Sequence, residues 1–149
     1  MAAPEYQTTG FTILELLIVI LVFGILTTAT FPTIARTVTH ARVNQAALVV
    51  GHDLGVAVSA AARQRKPVRL AVGADRRSLQ VTDRASGAVL QTRALGPEAE
   101  YRLDSVSFSA NPIDVFPNGF TSSALTVTLW ARDYSRRVTL SRAGWVRVR

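Results

Sequence analysis

Glu15 stands inside a run that is otherwise almost wholly apolar from Phe11 to Leu26. A charge at membrane depth costs about 2.5–3.5 kcal/mol on insertion scales, so a carboxylate there marks function and calls for a cationic partner. A second candidate lies at the opposite end. Arg132, Arg136, Arg137, Arg142, Arg147 and Arg149 crowd the last stretch of chain against a single acid, Asp133. Arg147, Arg149 and Trp145 share strand parity, so two guanidiniums and an indole would project to one side. That combination suits phosphate contact with base stacking. A solvated edge strand kept from pairing by its charges, with Trp145 packed inward, would use the same residues.

Catalytic chemistry finds little footing. His40 and His52 lie twelve residues apart on a predicted helix and project at different heights. Glu98 and Glu100 face opposite ways if extended. No His/Asp/Glu set has metal-ligand spacing, and no glycine-rich phosphate loop follows a strand. The chain has no cysteine, which excludes disulfides and thiolate metal sites. The expectation is a non-enzyme with no catalytic, cofactor or metal residue.

The elements that must position these groups follow from periodicity. Residues 11–31 form a helix of about 31 Å, close to hydrocarbon thickness. Pro32 removes a backbone donor and should bend or thin it. Beyond Pro32, Val43, Ala47, Val50, Leu54, Ala57 and Ala61 recur at spacings of four and three, an apolar stripe for packing on a sheet. Arg36, Arg42, Gln45, His52, Asp53 and Arg63 are placed mostly off that stripe. The amphipathic half, 32–66, should end at Pro67.

From Pro67 onward the period becomes two. Val68, Leu70 and Val72, then Leu79 and Val81, then 89–93, Val106 and Phe108, 125–130, 137–141 and 145–149 read as strands. Gly73–Arg77, Ala85–Gly87, Gly96-Pro97, Asn111-Pro112 and Arg142–Gly144 read as turns. The fold class is α+β: a long N-terminal helix, membrane-spanning then amphipathic, packed on an antiparallel β-sheet domain over 67–149. About 120 residues remain for one soluble domain after the first thirty. Net charge is +7, rising by one without Glu5, which favours an anionic partner: nucleic acid, lipid head groups or an acidic protein. Composition drift in an arginine-rich proteome would give the same charge.

Gly10-Phe11-Thr12-Ile13-Leu14-Glu15 with its apolar tail resembles the processing site of type IV prepilins and type II secretion pseudopilins. Phe116-Pro117-Asn118-Gly119, the strand 125–130, and the pair 137–141 and 144–148 are similar to the GspH/FimT branch of minor pilins and pseudopilins. Family members often carry arginine after the last glycine, where this chain has Trp145. The resemblance implies a leader, Met1–Gly10, cut by a prepilin peptidase between Gly10 and Phe11, and N-methylation of Phe11. It implies that Glu15 pairs with the Phe11 amine of its own or a neighbouring subunit, although snorkelling to the head groups would also serve. Pro32 belongs to the same assembly pattern.

The implied protein is a single-pass bacterial inner-membrane precursor. Its C-terminal domain lies in the periplasm or is exposed on a fibre assembled with other major and minor pilins or pseudopilins. FimT-type relatives with basic C-terminal tails are associated with DNA uptake, so Arg136, Arg137, Arg142, Trp145, Arg147 and Arg149 are the candidate DNA-binding set. A non-polymerising anchored periplasmic domain is the third reading. The leader lacks the Lys or Arg its family usually carries, and Arg36 is the first basic residue. Charge bias alone would therefore put the C-terminal side in the cytoplasm; the motif is taken over that bias.

Overall fold

The computed structural model describes residues 10–149, the side chains of Ala29, Thr30 and Pro32 excepted. The rest of the expected leader, with Glu5, lies outside the described residues. The chain divides at Thr37/Val38 into two units, each described by itself.

The first unit carries the start of α1, Ile13–Gln64. Its helical backbone continues through Pro32. The residues from Phe11 to Ile34 are apolar on every side, and their described large side chains are all exposed. An 18-residue stretch reaches a mean hydropathy of 2.4 with none of it buried within the chain. A helix that is apolar all round needs cover from outside itself, whether lipid or other helices. The threonines in this region do not break that character. Thr27 Oγ1 donates to Phe23 O at 2.8 Å, Thr28 Oγ1 to Gly24 O at 2.9 Å, and Thr37 Oγ1 to Thr33 O at 3.0 Å. Hydroxyls satisfied inside the helix tolerate an apolar surround.

In the second unit the stripe of α1 is the centre of the core. Val43, Ala47, Val50, Leu54, Ala57 and Ala61 are fully buried, joined by Ala46. Eight strands follow: β1 Val68–Val72, β2 Ser78–Asp83, β3 Val89–Ala94, β4 Ser105–Phe108, β5 Ile113–Val115, β6 Leu125–Ala131, β7 Tyr134–Leu140 and β8 Val146–Val148. They form two antiparallel four-stranded sheets, ordered β3-β2-β1-β5 and β4-β6-β7-β8, where period alone suggested one sheet face under the helix. A single apolar cluster joins α1 to both, through Leu70, Leu79, Val81 and Ile113 on one side and Val127, Leu129, Val138 and Leu140 on the other. Each fully buried Leu or Val contributes about 1.5–3 kcal/mol by leaving water. Tyr101 and Leu103 lie in the loop before β4 yet are buried in this cluster.

The helix stops at Gln64, two residues short of the expected end. Arg65 adopts φ 52°, and the residue before Pro67 is disfavoured in helix. Gly144 in the β7–β8 turn has φ +77°, and an added Cβ would run into the Gly119 carbonyl. Glycine is required there by both conformation and space.

Candidate functional site: capped helix start and basic sheet face

Two places hold the candidate residues, one in each unit. At the chain start, Gly10 precedes α1 as exposed, non-helical chain. Thr12 is the residue immediately before the helix. Its Oγ1 accepts a hydrogen bond from the Glu15 backbone N–H at 3.2 Å, while Leu16 N–H donates to Thr12 O at 3.2 Å. Thr-x-x-Glu at this position is the sequence of a capping box, and Glu15 is the acid of the first turn, where the helix dipole favours negative charge. The motif threonine therefore closes the first turn, a role that its three-residue spacing from Glu15 signals. Phe11 and Glu15 are both exposed. The described part of this unit contains no Lys or Arg before Arg36, so within the chain itself no basic side chain lies in the apolar run with Glu15.

In the second unit, the pairing of β6, β7 and β8 sorts the arginines. Val138 and Leu140 point into the core, so Arg137 and Thr139 point out. Arg137 and Arg149 exchange both backbone hydrogen bonds, at 2.9 and 2.8 Å, and Thr139 stands opposite Arg147. Trp145 is 73% exposed and lines a groove of about 500 Å³ with Thr126, Thr139, Ser141, Arg147 and Arg149. Trp145 is thus not packed in the core. Like charges directly across a ladder are destabilising, so Arg137 and Arg149 side by side concentrate positive potential on this face at some cost.

The other two arginines lie elsewhere. Arg136 points to the helix side, where its Nε donates to Asn44 Oδ1 at 2.6 Å and its guanidinium lies 5.7 Å from the Tyr134 ring centre. Tyr134 OH donates to the same Asn44 oxygen at 3.1 Å and its ring stacks on His40 with centroids 4.0 Å apart. Arg136 is a packing and docking residue of α1. Arg142 sits exposed in the β7–β8 turn, its guanidinium reaching Ser122 O at 3.5 Å.

Sequence reasoning missed one structural charge. Asp53, placed mostly off the stripe, is 2% exposed. Arg93 Nε donates to its Oδ2 at 2.7 Å, Arg93 Nη2 to Oδ1 at 3.1 Å, and Gln91 Nε2 to Oδ1 at 2.7 Å. That hydrogen bonding holds the Arg93 guanidinium above its ordinary pKa. Burial, and next the nearby Glu100, push the Tyr101 phenol up. The signal for Asp53 was its spacing from Val50 and Ala57, which puts it on the stripe. A paired carboxylate of this kind fastens β3 to α1.

Comparison with known proteins follows the same two regions. The family model of type II transport protein GspH matches residues 46–144. That of the prokaryotic N-terminal methylation motif matches residues 7–31. No curated protein matches the chain. The type IV minor pilin FimU of Pseudomonas aeruginosa, in two crystal forms, is similar at 20% and 22% identity. It covers 71% and 72% of this chain and 91% and 87% of its own, with TM-scores of 0.58 and 0.59. The minor pseudopilin EpsH from the type 2 secretion system of Vibrio cholerae is similar at 16% identity over 72% of this chain and 95% of its own, with a TM-score of 0.55. At these identities the likeness is one of fold: one long helix on antiparallel sheets.

Proposed function

The chain belongs to the GspH family of type II transport proteins, and from that premise we propose that it is a minor pilin or pseudopilin subunit, processed and then assembled into a fibre. A prepilin peptidase removes Met1–Gly10 and methylates the Phe11 amine. The apolar half of α1 is held in the inner membrane before assembly and among the helices of neighbouring subunits after it. The unit Val38–Arg149 stands in the periplasm or on the fibre surface.

One observation carries this reading. The apolar surface from Phe11 to Ile34 is exposed in the chain, and it opens on a capped first turn that holds Glu15. Such a surface must be covered by lipid or by other subunits. Cleavage after Gly10 creates an ammonium one turn from Glu15, in the same or an adjacent chain. Pairing offsets the desolvation of both charges, because a carboxylate and a cation taken out of water separately cost several kcal/mol each. The helix serves membrane and fibre with one surface, and the ion pair sets the depth at which a subunit joins. Intact-mass measurement of the chain co-expressed with a prepilin peptidase tests processing: it should lose residues 1–10 and gain one methyl group on Phe11. An uncut chain would overturn the reading.

A second reading is supported by the outer face of β6-β7-β8. Arg137, Arg147 and Arg149 with exposed Trp145 provide guanidiniums for phosphates and an indole for a base, the set a single-stranded nucleic acid needs. On this reading the subunit presents DNA-binding residues from the fibre. It adds to the assembly role without replacing it.

A further inference from the structure

One outer strand of the two sheets borders an open groove within Val38–Arg149. Val72 at the end of β1, Arg76 in the β1–β2 turn, Val106, Ser107 and Phe108 of β4, and Asn111 line a space of about 320 Å³. Successive side chains of a strand point to opposite faces, so a space touched by three consecutive β4 residues runs along the strand's edge. Among the described residues β4 is the end strand of its sheet and pairs with β6 alone. Asp104 N–H donates to Trp130 O at 2.9 Å and Ser109 N–H to Thr126 O at 3.0 Å, prolonging that ladder at both ends. Antiparallel bonds alternate between the two edges of a strand. Ser109 is bonded toward β6 and Ser107 stands opposite Thr128, so the N–H and C=O groups of Val106 and Phe108 turn to the other edge. Among the described residues no turn or loop bond engages them there.

Free sheet edges are normally blunted by charge, proline, bulges or extreme shortness. The other outer strands follow that rule: β3 has a register shift beside Thr82, while β5 and β8 have three residues each, and β8 carries Arg147. Ser105-Val106-Ser107-Phe108 has no charge and no proline, and its register on β6 is unbroken. Across the groove, the Val72 N–H is taken by Asn111 Oδ1 at 3.0 Å, which leaves an apolar wall there. Arg76 stands exposed at the rim with φ 54°, and none of the ion pairs among the described residues includes it. A row of unmet N–H and C=O groups is matched by another peptide backbone, an apolar wall by alternate apolar side chains, and a free guanidinium by a carboxylate. We propose that the edge of β4 docks an extended, acidic segment of a partner polypeptide, which adds a fifth strand to β4-β6-β7-β8. Its alternate apolar side chains lie against Val72 and Phe108, and its carboxylate meets Arg76. Four residues of strand span about 13 Å, so about five partner residues fill the edge. The groove lies wholly in Val38–Arg149, and the docking depends on neither membrane insertion nor processing.

Amide hydrogen exchange, read by NMR on the full chain in neutral detergent, tests it with the peptide acetyl-Glu-Val-Thr-Val-Glu-amide. In the chain alone the Val106 and Phe108 amides should exchange freely, while the Ser107 amide is held by β6. Peptide at about nine times its Kd should slow Val106 and Phe108 about tenfold and leave Ser107 unchanged. The same peptide N-methylated at its valine and threonine amides should protect neither. Replacing its two Glu by Gln should weaken binding to wild type about threefold, as loss of an exposed ion pair does, and make no difference to Arg76→Ala. Val106→Pro removes one outward donor, keeps the Ser105 and Ser107 bonds to β6, and should weaken binding about tenfold. Should that variant fail to fold by circular dichroism, the N-methylated peptide makes the same test on wild type. Equal protection by the methylated peptide would overturn strand addition. So would no protection at about 10 mM peptide, tenfold above a weak Kd of about 1 mM. Val106 and Phe108 amides as slow as Ser107 in the chain alone would show the edge already covered, which also overturns the proposal. Protection that rises with chain concentration without peptide would assign the edge to a second copy and overturn the acidic partner.

Discussion

The Thr12 hydroxyl oxygen lies 3.2 Å from the Glu15 backbone nitrogen and accepts its hydrogen bond, so the residue after Phe11 and the charge in the apolar run share one helical turn. The cleavage point proposed after Gly10 and the carboxylate are thereby held at a fixed separation, because the helix begins at once. An unstructured link between them would leave the new ammonium free to range over many depths. The cap also satisfies a backbone donor that lipid could not satisfy.

Loss of that cap should be local. Thr12→Ala is expected to cost about 1 kcal/mol at the helix start, as N-cap removals do. Hydrogen–deuterium exchange of the full chain in detergent should then show the Glu15 amide opening about fivefold more readily, with the amides near Leu54 unchanged. Thr12→Ser should restore it. An unchanged Glu15 amide in Thr12→Ala would mean that the hydroxyl is not the cap.

The Asp53–Arg93 pair makes a separate claim, about the second unit. Removing one partner of a buried pair costs about 3–5 kcal/mol. Arg93 keeps a third of its side chain in solvent, which lowers the expectation for Asp53→Ala to about 2–4 kcal/mol. Urea unfolding followed by circular dichroism should show it as a lower midpoint. Asp53→Leu/Arg93→Met should recover part of the loss, since Val50, Leu54 and Ala57 flank the position on α1 while Gln91 loses its acceptor. A midpoint shift below about 0.5 kcal/mol in the single variant would show that the pair fastens nothing.

How much of this was legible in the sequence depends on the range of the signal. The helix stripe from Val43 to Ala61 and the turn at Arg142–Gly144 were readable because each is written in neighbours three, four or two residues apart. The partner of Asp53 was not, because Arg93 lies forty residues away and reaches it only through the order β3-β2-β1-β5. The same holds for β5, which pairs with β1 although β2, β3 and β4 lie between them in the chain. Two sheets in place of one also depend on long-range pairing. At the basic end, strand parity correctly grouped Arg147 and Trp145 on one groove, and the parity of β7 sent Arg136 to the helix side, a difference of one residue from Arg137. The groove along β4 brings Val72 and Arg76 to Val106 and Phe108 through long-range pairing and left no local trace.

DNA binding by the outer sheet face should be strongly salt-dependent. Gel shifts of the full chain in detergent with single-stranded DNA should weaken steeply as salt rises. Arg147→Ala/Arg149→Ala should flatten the log–log slope by about 1.4, roughly 0.7 for each single-strand phosphate no longer neutralised. Trp145→Ala should cost about 1–3 kcal/mol with little change in slope, as stacking is not ionic. Absence of binding at about 50 mM salt would remove the second reading.

Assembly through Glu15 is the centre of the proposal, and incorporation into sheared fibres measures it most directly. Glu15→Val removes the charge and keeps the apolar helix, so the variant should still be cut after Gly10 and still sediment with membranes. Immunoblots of the sheared fraction should show it depleted severalfold relative to wild type, because the Phe11 ammonium of the matured chain then has no carboxylate to meet. Wild-type amounts of Glu15→Val in the fibres, with processing and membrane insertion intact, would contradict a pairing role for Glu15.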